Sequence, residues 1–171
     1  MGDKARLIAY DDSRQVLITD SGDLFVHNDG SEDQIKKLAS SIDDIQFSDD
    51  GKKLLYWDNN EINVMFLREW DVQPYRAENE IQSIIRLSTP IKNVFWYKDY
   101  EHVFFSVNNK IKIVELDTRD HRISNEILEN NMDDFPATYD SSKGIYYFLR
   151  NDGDKKSIYY FELPIKTGFF G

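Results

Sequence analysis

The sequence contains no cysteine, and its 171 residues include only four prolines, eight glycines and three histidines. Without cysteine, disulfide bonds and thiolate catalysis are excluded, although the compartment of the protein stays open. A zinc centre needs three or four convergent ligands, and the scattered His27, His102 and His121 do not predict one. The few glycines do not cluster after a strand, so neither a phosphate-binding loop nor a dinucleotide-binding fingerprint is present.

Basic residues are also scarce, since 21 Lys and Arg face 31 Asp and Glu, which gives a net charge of −10. Nucleic acids and anionic membrane surfaces attract basic clusters, so this balance argues against both as partners. No apolar run is long enough to span a bilayer. The first residues lack the apolar segment of a secretory signal, so no signal peptide is predicted and the localisation stays unknown.

Aromatic residues are abundant, with 11 Phe and 10 Tyr, and they favour strands over helices. A strand–turn–strand unit recurs four times, each copy having an apolar–polar–apolar triplet, a polar turn and an apolar strand. The copies begin at Ile8, Ile45, Val94 and Phe135. These intervals are close to the roughly 40–45-residue period of a four-stranded propeller blade.

Turns rich in Asn, Asp and Gly follow the second strand of most copies and predict hairpins to a third strand. A short fourth strand closes each copy, although the last one, near residues 165–170, is weak. The sequence therefore predicts an all-β β-propeller of about four four-stranded antiparallel blades, or half of a larger ring. The predicted blades cover residues 4–39, 40–88, 89–129 and 130–171. A β-sandwich is the alternative, but its strands have no reason to repeat one turn chemistry.

Residues 47–56 resemble the F-S-P-D-G signature of TolB-like, WD40-related blades of bacterial propellers, with Asp49 in place of the usual proline. Residues 73–76, 84–88, 91–99 and 111–120 are similar to the propellers that accompany PEGA domains in uncultured bacterial lineages. The resemblance implies an envelope or extracytoplasmic module without assigned chemistry, and it suggests a C-terminal propeller fragment.

The second copy is the longest, and its additional residues lie at 68–80. Trp70, Tyr75 and Arg76 belong to the residue types that dominate binding hot spots, so this loop is predicted to be a binding edge. Trp96 and Tyr97, in the third copy, are further candidates for binding. The alternative interpretation is structural: Trp70 covers the neighbouring blade, and Arg76 pairs with a nearby carboxylate.

Acidic pairs recur at Asp11–Asp12, Asp43–Asp44, Asp49–Asp50 and Asp133–Asp134. Two carboxylates can catalyse glycoside hydrolysis, but turn aspartates more simply hydrogen-bond to the backbone. Residues 28–33 and 151–154 have the composition of calcium loops without the required spacing. No catalytic residue, metal ligand or cofactor is therefore predicted.

These observations predict a non-catalytic scaffold or protein–protein interaction module. An open series of blades leaves apolar faces exposed, so self-association as a homodimer that closes one ring is expected. A carbohydrate-binding propeller is one alternative, although Trp57, Trp70 and Trp96 do not occupy equivalent positions in their copies. An accessory propeller of a larger envelope-associated hydrolase is another.

Overall fold

A computed structural model describes residues 4–29, 35–117, 119 and 124–163 of the chain. This part contains fifteen β-strands and no helix. The strands are β1 (Ala5–Asp11), β2 (Arg14–Thr19), β3 (Leu24–Asn28), β4 (Lys36–Ala39), β5 (Asp44–Phe47), β6 (Lys53–Trp57), β7 (Glu61–Phe66), β8 (Ile81–Arg86), β9 (Ile91–Trp96), β10 (His102–Val107), β11 (Lys110–Glu115), β12 (Ser124–Glu129), β13 (Ala137–Asp140), β14 (Ile145–Asp152) and β15 (Lys155–Glu162).

The strands form four antiparallel sheets in which each strand pairs with the next one along the chain. Three sheets have four strands, β1–β4, β5–β8 and β9–β12, and the fourth contains β13–β15. We call these sheets blades 1 to 4. The all-β propeller fold predicted from the repeat is confirmed, whereas the predicted closing strand near residues 165–170 lies outside the described residues.

The chain divides into two compact units, residues 1–91 with blades 1 and 2, and residues 92–171 with blades 3 and 4. The core of the first unit lies between its two blades. Its buried members include Val16, Ile18, Leu24 and Val26 from blade 1, and Ile45, Leu54, Tyr56 and Met65 from blade 2. Blade 1 thus packs one face on blade 2, as the alternation of apolar residues in its strands requires.

The strand pairing in blade 1 shows that Ile8 and Ile45, the first residues of two predicted copies, are not structurally equivalent. Ile8, which pairs with Val16, packs against the same core as Ile45, but it reaches that core from blade 1 rather than from blade 2. Ile8 and Ile45 therefore point toward each other's blades. Because successive side chains of a strand lie on opposite faces, the counterpart of Ile45 in β1 is Leu7, one residue earlier.

The core of the second unit is aromatic. Its buried members are Tyr97, Phe104, Ile111, Phe135, Tyr146 and Phe148. The ring of Phe104 lies 5.1 Å from that of Tyr146, in an edge-to-face arrangement that suits the opposite charges of ring edge and ring face. The first strand of blade 4 begins at Ala137, two residues after the predicted start of the copy at Phe135. Pro136 has no N–H for strand pairing, although its carbonyl oxygen accepts a hydrogen bond from the N–H of Leu149.

The turn between β5 and β6 holds blade 2 against blade 1. Gly51 adopts a φ of 63°, and its carbonyl oxygen accepts a hydrogen bond of 2.6 Å from Nη1 of Arg14. The hydroxyl of Tyr10 donates to the carbonyl oxygen of Asp49 at 2.7 Å. The guanidinium of Arg14 in turn lies 4.4 Å from the centre of the Tyr10 ring. The ring of Tyr10 is therefore fixed directly over Gly51.

Replacing Gly51 with Ala should destabilise the first unit for two reasons. A positive φ costs an alanine on the order of 1 kcal/mol, and the added Cβ would lie 2.2 Å from Cε1 of the fixed Tyr10 ring. Gly153→Ala is the control, because Gly153 has a φ of 61° and no atom within 4 Å of its added Cβ. Denaturant unfolding should show a larger loss for Gly51→Ala, and equal losses would contradict the steric explanation.

Candidate functional site

The predicted binding edge is the connection between β7 and β8. Within it, Trp70 and Arg76 form an isolated antiparallel bridge, in which each N–H donates to the other's carbonyl oxygen, at 2.9 and 3.2 Å. Residues 71–75 form the tip beyond this bridge. The pairing satisfies backbone groups at the base of the loop and gives it the form of a short hairpin.

Arg76 has its charged group turned toward its own loop. Its Nε lies 3.4 Å from Oε1 of Glu80, and its guanidinium lies 5.6 Å from the centre of the Phe66 ring. Nη1 also donates to the carbonyl oxygen of Tyr75 at 3.0 Å. Only 15% of the Arg76 side chain is exposed. The structural interpretation of Arg76, pairing with a nearby carboxylate, matches this arrangement.

Trp70 lies over the start of the second strand of its own blade. The ammonium nitrogen of Lys53 is 4.6 Å from the centre of a Trp70 ring, and that of Lys52 is 5.6 Å away. Such cation–π contacts are strongest where water is excluded, and Lys53 is buried. Trp70 therefore has a structural role at the base of the loop, on β6 of blade 2.

A buried asparagine in blade 1 fixes the loop from below. Nδ2 of Asn28 donates to the carbonyl oxygen of Leu67, to Oε1 of Glu78 and to Oδ1 of Asn79, each at 3.0 Å. Its Oδ1 accepts a 2.5 Å hydrogen bond from Nη1 of Arg68, which also ion-pairs with Glu78 at 3.3 Å. The sequence placed Asn28 only in a segment with calcium-loop composition and did not predict that it holds this loop. Its one local signal is that a polar residue ends a strand with apolar residues.

The tip of the loop presents apolar side chains to solvent. Val72 is 60% exposed and Tyr75 is 65% exposed, and the neighbouring Glu69 and Asp71 are exposed as well. Of the three candidates in this loop, Tyr75 is the one with a mostly accessible side chain. Trp70 and Arg76 hold the loop, and Tyr75 is displayed by it.

The structure places the other two candidates, Trp96 and Tyr97, in the core rather than on the surface. Trp96 is fully buried at the end of β9, and Tyr97 is 7% exposed. Tyr97 packs edge-to-face on Phe104 at 5.5 Å, and its hydroxyl donates to the carbonyl oxygen of Leu163 at 3.4 Å. These contacts explain the presence of Tyr97 as packing within its own unit.

The acidic residues in the turns between first and second strands form hydrogen bonds to the turns themselves. In blade 2, Oδ1 of Asp50 accepts from Lys52 N–H at 3.0 Å, and in blade 4 Oδ1 of Asp140 accepts from Lys143 N–H at 3.1 Å. The hydrogen bond from the Ser142 hydroxyl, with those from Lys143, lowers the pKa of Asp140 to about 2. Such a carboxylate stays ionised and is a poor general acid.

Asp43 differs from these turn residues, because burial, and then the charges of Asp58 and Asp44, raise its pKa.

The described residues contain no group of three or more His, Asp or Glu that could hold a metal ion. Segment 28–33, which has the composition of a calcium loop, lies largely outside the described residues, and His121 lies outside them. No membrane-spanning helix was found in the part of the chain that the structure describes.

Blade 3 contains the best-defined titratable pair. Nδ1 of His102 lies 2.7 Å from Oδ2 of Asp99, and Oδ1 of Asp99 accepts hydrogen bonds from the N–H groups of Glu101 and His102. The hydrogen bond with Asp99 raises the pKa of His102, and the charges of Glu115 and Glu101 act in the same direction. Burial opposes ionisation of Asp99, but the hydrogen bond from His102 keeps its pKa below the usual range.

Comparison with known proteins agrees with the fold. No protein-family model and no curated protein sequence matches the chain. Among solved structures, it is similar to the β-propeller domain of Cps50 (Swd1) from Myceliophteria thermophila, with a TM-score of 0.62 and 15% identity over 92% of this chain and 53% of that one. It is also similar to Hsv2 from Kluyveromyces lactis, with a TM-score of 0.57 and 13% identity over 94% of this chain and 48% of that one.

A Bacteroides uniformis protein described as a candidate 6-phosphogluconolactonase is similar as well, with a TM-score of 0.55 and 13% identity over 94% of this chain and 53% of that one. At such identities the similarity establishes the β-propeller fold and nothing finer. The chain spans about half the length of the solved propellers that it matches.

The His102–Asp99 pair should make the stability of the second unit depend on pH. His102 has a raised pKa when folded, so its contribution is full below the unfolded value of about 6.5 and is lost as pH rises through the folded value. Asp99 has a lowered pKa, so its contribution is lost only as pH falls through its folded value. Urea unfolding should therefore show declining stability above about pH 6.5.

His102→Gln should flatten this decline, because it removes the group that releases the proton. His27→Gln is the matched control, since His27 lies in the first unit, with Nε2 3.2 Å from Asp29. A decline that persists unchanged in His102→Gln would show that another group causes it.

Asn28→Ala should release the loop between β7 and β8 without unfolding blade 2. The substitution removes the hydrogen bonds that Asn28 makes to Leu67, Arg68, Glu78 and Asn79. Loss of about 1.4 kcal/mol corresponds to about tenfold faster amide hydrogen exchange in the loop.

Asn60→Ala is the control for the loop measurement, because Nδ2 of Asn60 donates one hydrogen bond of 3.0 Å, to Leu87, outside the loop. Exchange measured by mass spectrometry should rise across residues 68–80 in Asn28→Ala and stay unchanged across β6. Equal acceleration in both segments would indicate general destabilisation instead of a local anchor.

Proposed function

We propose that the protein is a non-catalytic β-propeller interaction module that self-associates, most simply as a homodimer that completes one ring. The observation that carries this proposal is a set of large apolar side chains left in solvent on the first and the last blade. Leu7 in blade 1 is 64% exposed, and Ile158 and Tyr160 in blade 4 are 73% and 69% exposed. Exposed apolar patches of this kind mark interaction surfaces in soluble proteins.

Four blades in each copy are compatible with the same proposal. The chain spans about half the length of the solved propellers that it resembles. Propellers close with roughly four to eight blades. Two copies with four blades each fall within that range, and they would cover each other's exposed faces.

The loop between β7 and β8 supports a second interaction surface for a protein partner. Its base is held by Asn28 and by the Trp70–Arg76 bridge, so both ends of the tip are fixed before any partner arrives. Pre-ordered tips lose less entropy on binding. We place Val72 and Tyr75 at the contact, with Trp70 and Arg76 as the residues that position them.

We infer a lack of catalysis from how the turn carboxylates are used. Asp50 and Asp140 accept hydrogen bonds within their own turns, whereas a general acid in glycoside hydrolysis needs a raised pKa. Asp43 has a raised pKa, so Asp43→Asn is the variant to compare if turnover is found. A panel of glycosidase and hydrolase substrates should give no turnover above the rate in buffer. Turnover that is lost in a variant of a described acidic residue would overturn this part of the proposal.

Self-association should be visible in solution at micromolar concentration. Light scattering coupled to size-exclusion chromatography should give twice the mass of the chain, and the mass should fall toward that of one chain on dilution. Burial of the exposed apolar side chains supplies the driving force. A mass of one chain at all micromolar concentrations would refute self-association.

A further inference from the structure

The exposed apolar face of blade 4 is formed by two neighbouring strands. Tyr147 and Leu149 of β14 pair with Tyr160 and Ile158 of β15, so all four side chains lie on the same face. The rings of Tyr147 and Tyr160 are 6.1 Å apart. The opposite face of β14 carries buried core residues, namely Tyr146 and Phe148. Blade 4 thus has one face packed in the core of its unit and one apolar face in solvent.

The exposed face of blade 1 is a row of apolar side chains across three strands. Leu7 pairs with Leu17, and Leu17 pairs with Phe25, so the three side chains share one face of the blade. Val16 and Val26, on the opposite face, are buried against blade 2. Blade 1 therefore also has one covered face and one apolar face that reaches solvent.

The two exposed faces differ in the neighbour that they would pack against. Blade 1 exposes the face that packs on a preceding blade, and blade 4 exposes the face that packs on a following blade. In blade 2, Leu54 pairs with Met65 on the face that packs against blade 1, the blade preceding it in the chain. Ile45 and Tyr56, which pair with each other, lie on that same face of blade 2, and their counterparts in blade 1 are Leu7 and Leu17, which continue to Phe25. The exposed face of blade 1 is therefore the kind that, inside the first unit, packs against a preceding blade.

The exposed face of blade 4 is the kind that packs against a following blade. Inside the first unit, that position is taken by the face of blade 1 with Val16 and Ile18, which lies against blade 2. In blade 4 the face with Tyr146 and Phe148 packs against Phe104 and Ile111 of the preceding blade 3. The other face of blade 4, with Tyr160, is left for a blade that would follow.

We propose that the exposed face of blade 4 docks onto the exposed face of blade 1 of a second copy of this chain, head to tail. This inference rests on the self-association proposed above and assigns its surfaces. The contact continues the packing already seen between blades 1 and 2. A head-to-tail contact is heterologous, and when it forms twice around a twofold axis it closes. Pairing of identical faces would instead bring the exposed faces of two blades 1 together, or those of two blades 4, and neither arrangement resembles the packing of blade 1 on blade 2.

The test uses one lysine on each face. Leu7→Lys and Tyr160→Lys place a charge in the proposed contact at positions that are 64% and 69% exposed, so folding should be retained and is checked by circular dichroism. Each variant homodimer contains the altered contact twice. We expect the dissociation constant of each variant dimer to be about a hundredfold higher than that of the wild type, because each of the two altered contacts contributes about tenfold.

Ile81→Lys is the matched control, because Ile81 is 46% exposed but lies in β8 of blade 2 and on neither of the two proposed faces. It should leave the dimer unchanged. A dimer that also tolerates Leu7→Lys and Tyr160→Lys would overturn the assignment of faces while leaving self-association intact. A wild-type monomer would instead overturn self-association, and this inference with it.

Mixing the two variants distinguishes head-to-tail pairing from pairing of like faces. In a mixed dimer, one contact joins the unaltered blade 4 of the Leu7→Lys chain to the unaltered blade 1 of the Tyr160→Lys chain. The other contact of the mixed dimer carries both lysines, but because one lysine already disrupts a contact, the mixed dimer keeps one intact contact where each variant homodimer keeps none. The mixture should therefore associate more strongly than either variant alone, measured with one chain carrying a fluorescent label. If like faces paired, no mixed dimer would contain a wholly unaltered contact, and a mixture no stronger than its components would overturn the inference.

Discussion

Strands that are apolar on both faces are the constraint on which the rest of this molecule depends. Leu54 and Leu55 are adjacent in β6, point to opposite faces of blade 2, and are both fully buried. Such a sheet cannot leave either face in water without exposing leucine, so every blade needs a neighbour on each side. Blade 1 and blade 4 each meet this need on one face, inside their own unit, and each has a second apolar face that reaches solvent.

The local parts of the fold could be predicted from the sequence because local chemistry determines them. The turn aspartates, the glycine at 51 and the alternation of apolar residues set the hairpins, and within the described residues the predicted strands are found where the turns place them. The register of β1 was harder. Leu7 and Ile8 are both apolar, so the pattern does not show which of them faces blade 2, and a one-residue offset exchanges the faces of the strand.

The candidate site depends on contacts between distant residues, which local sequence does not reveal. Residue type drew attention to the loop that carries Trp70 and Tyr75, since large aromatic residues in an insertion need an explanation. It could not show that Asn28, from another blade, holds the base of that loop, because this contact exists only after two blades pack. Nor could residue type separate Tyr75, which is mostly exposed, from Trp96, which is fully buried.

Charge and apolar surface act against each other in the proposed assembly. Each chain carries a net charge of −10, so two chains that meet repel each other, within a screening length of about 8 Å at physiological ionic strength. Long-range attraction between net charges therefore cannot bring the copies together. Association must come from the removal of side chains such as Leu7, Ile158 and Tyr160 from water, which acts only when faces of matching shape are in contact. The same repulsion disfavours open-ended stacking beyond a closed pair, so an acidic surface with two complementary apolar ends favours a ring that stops growing.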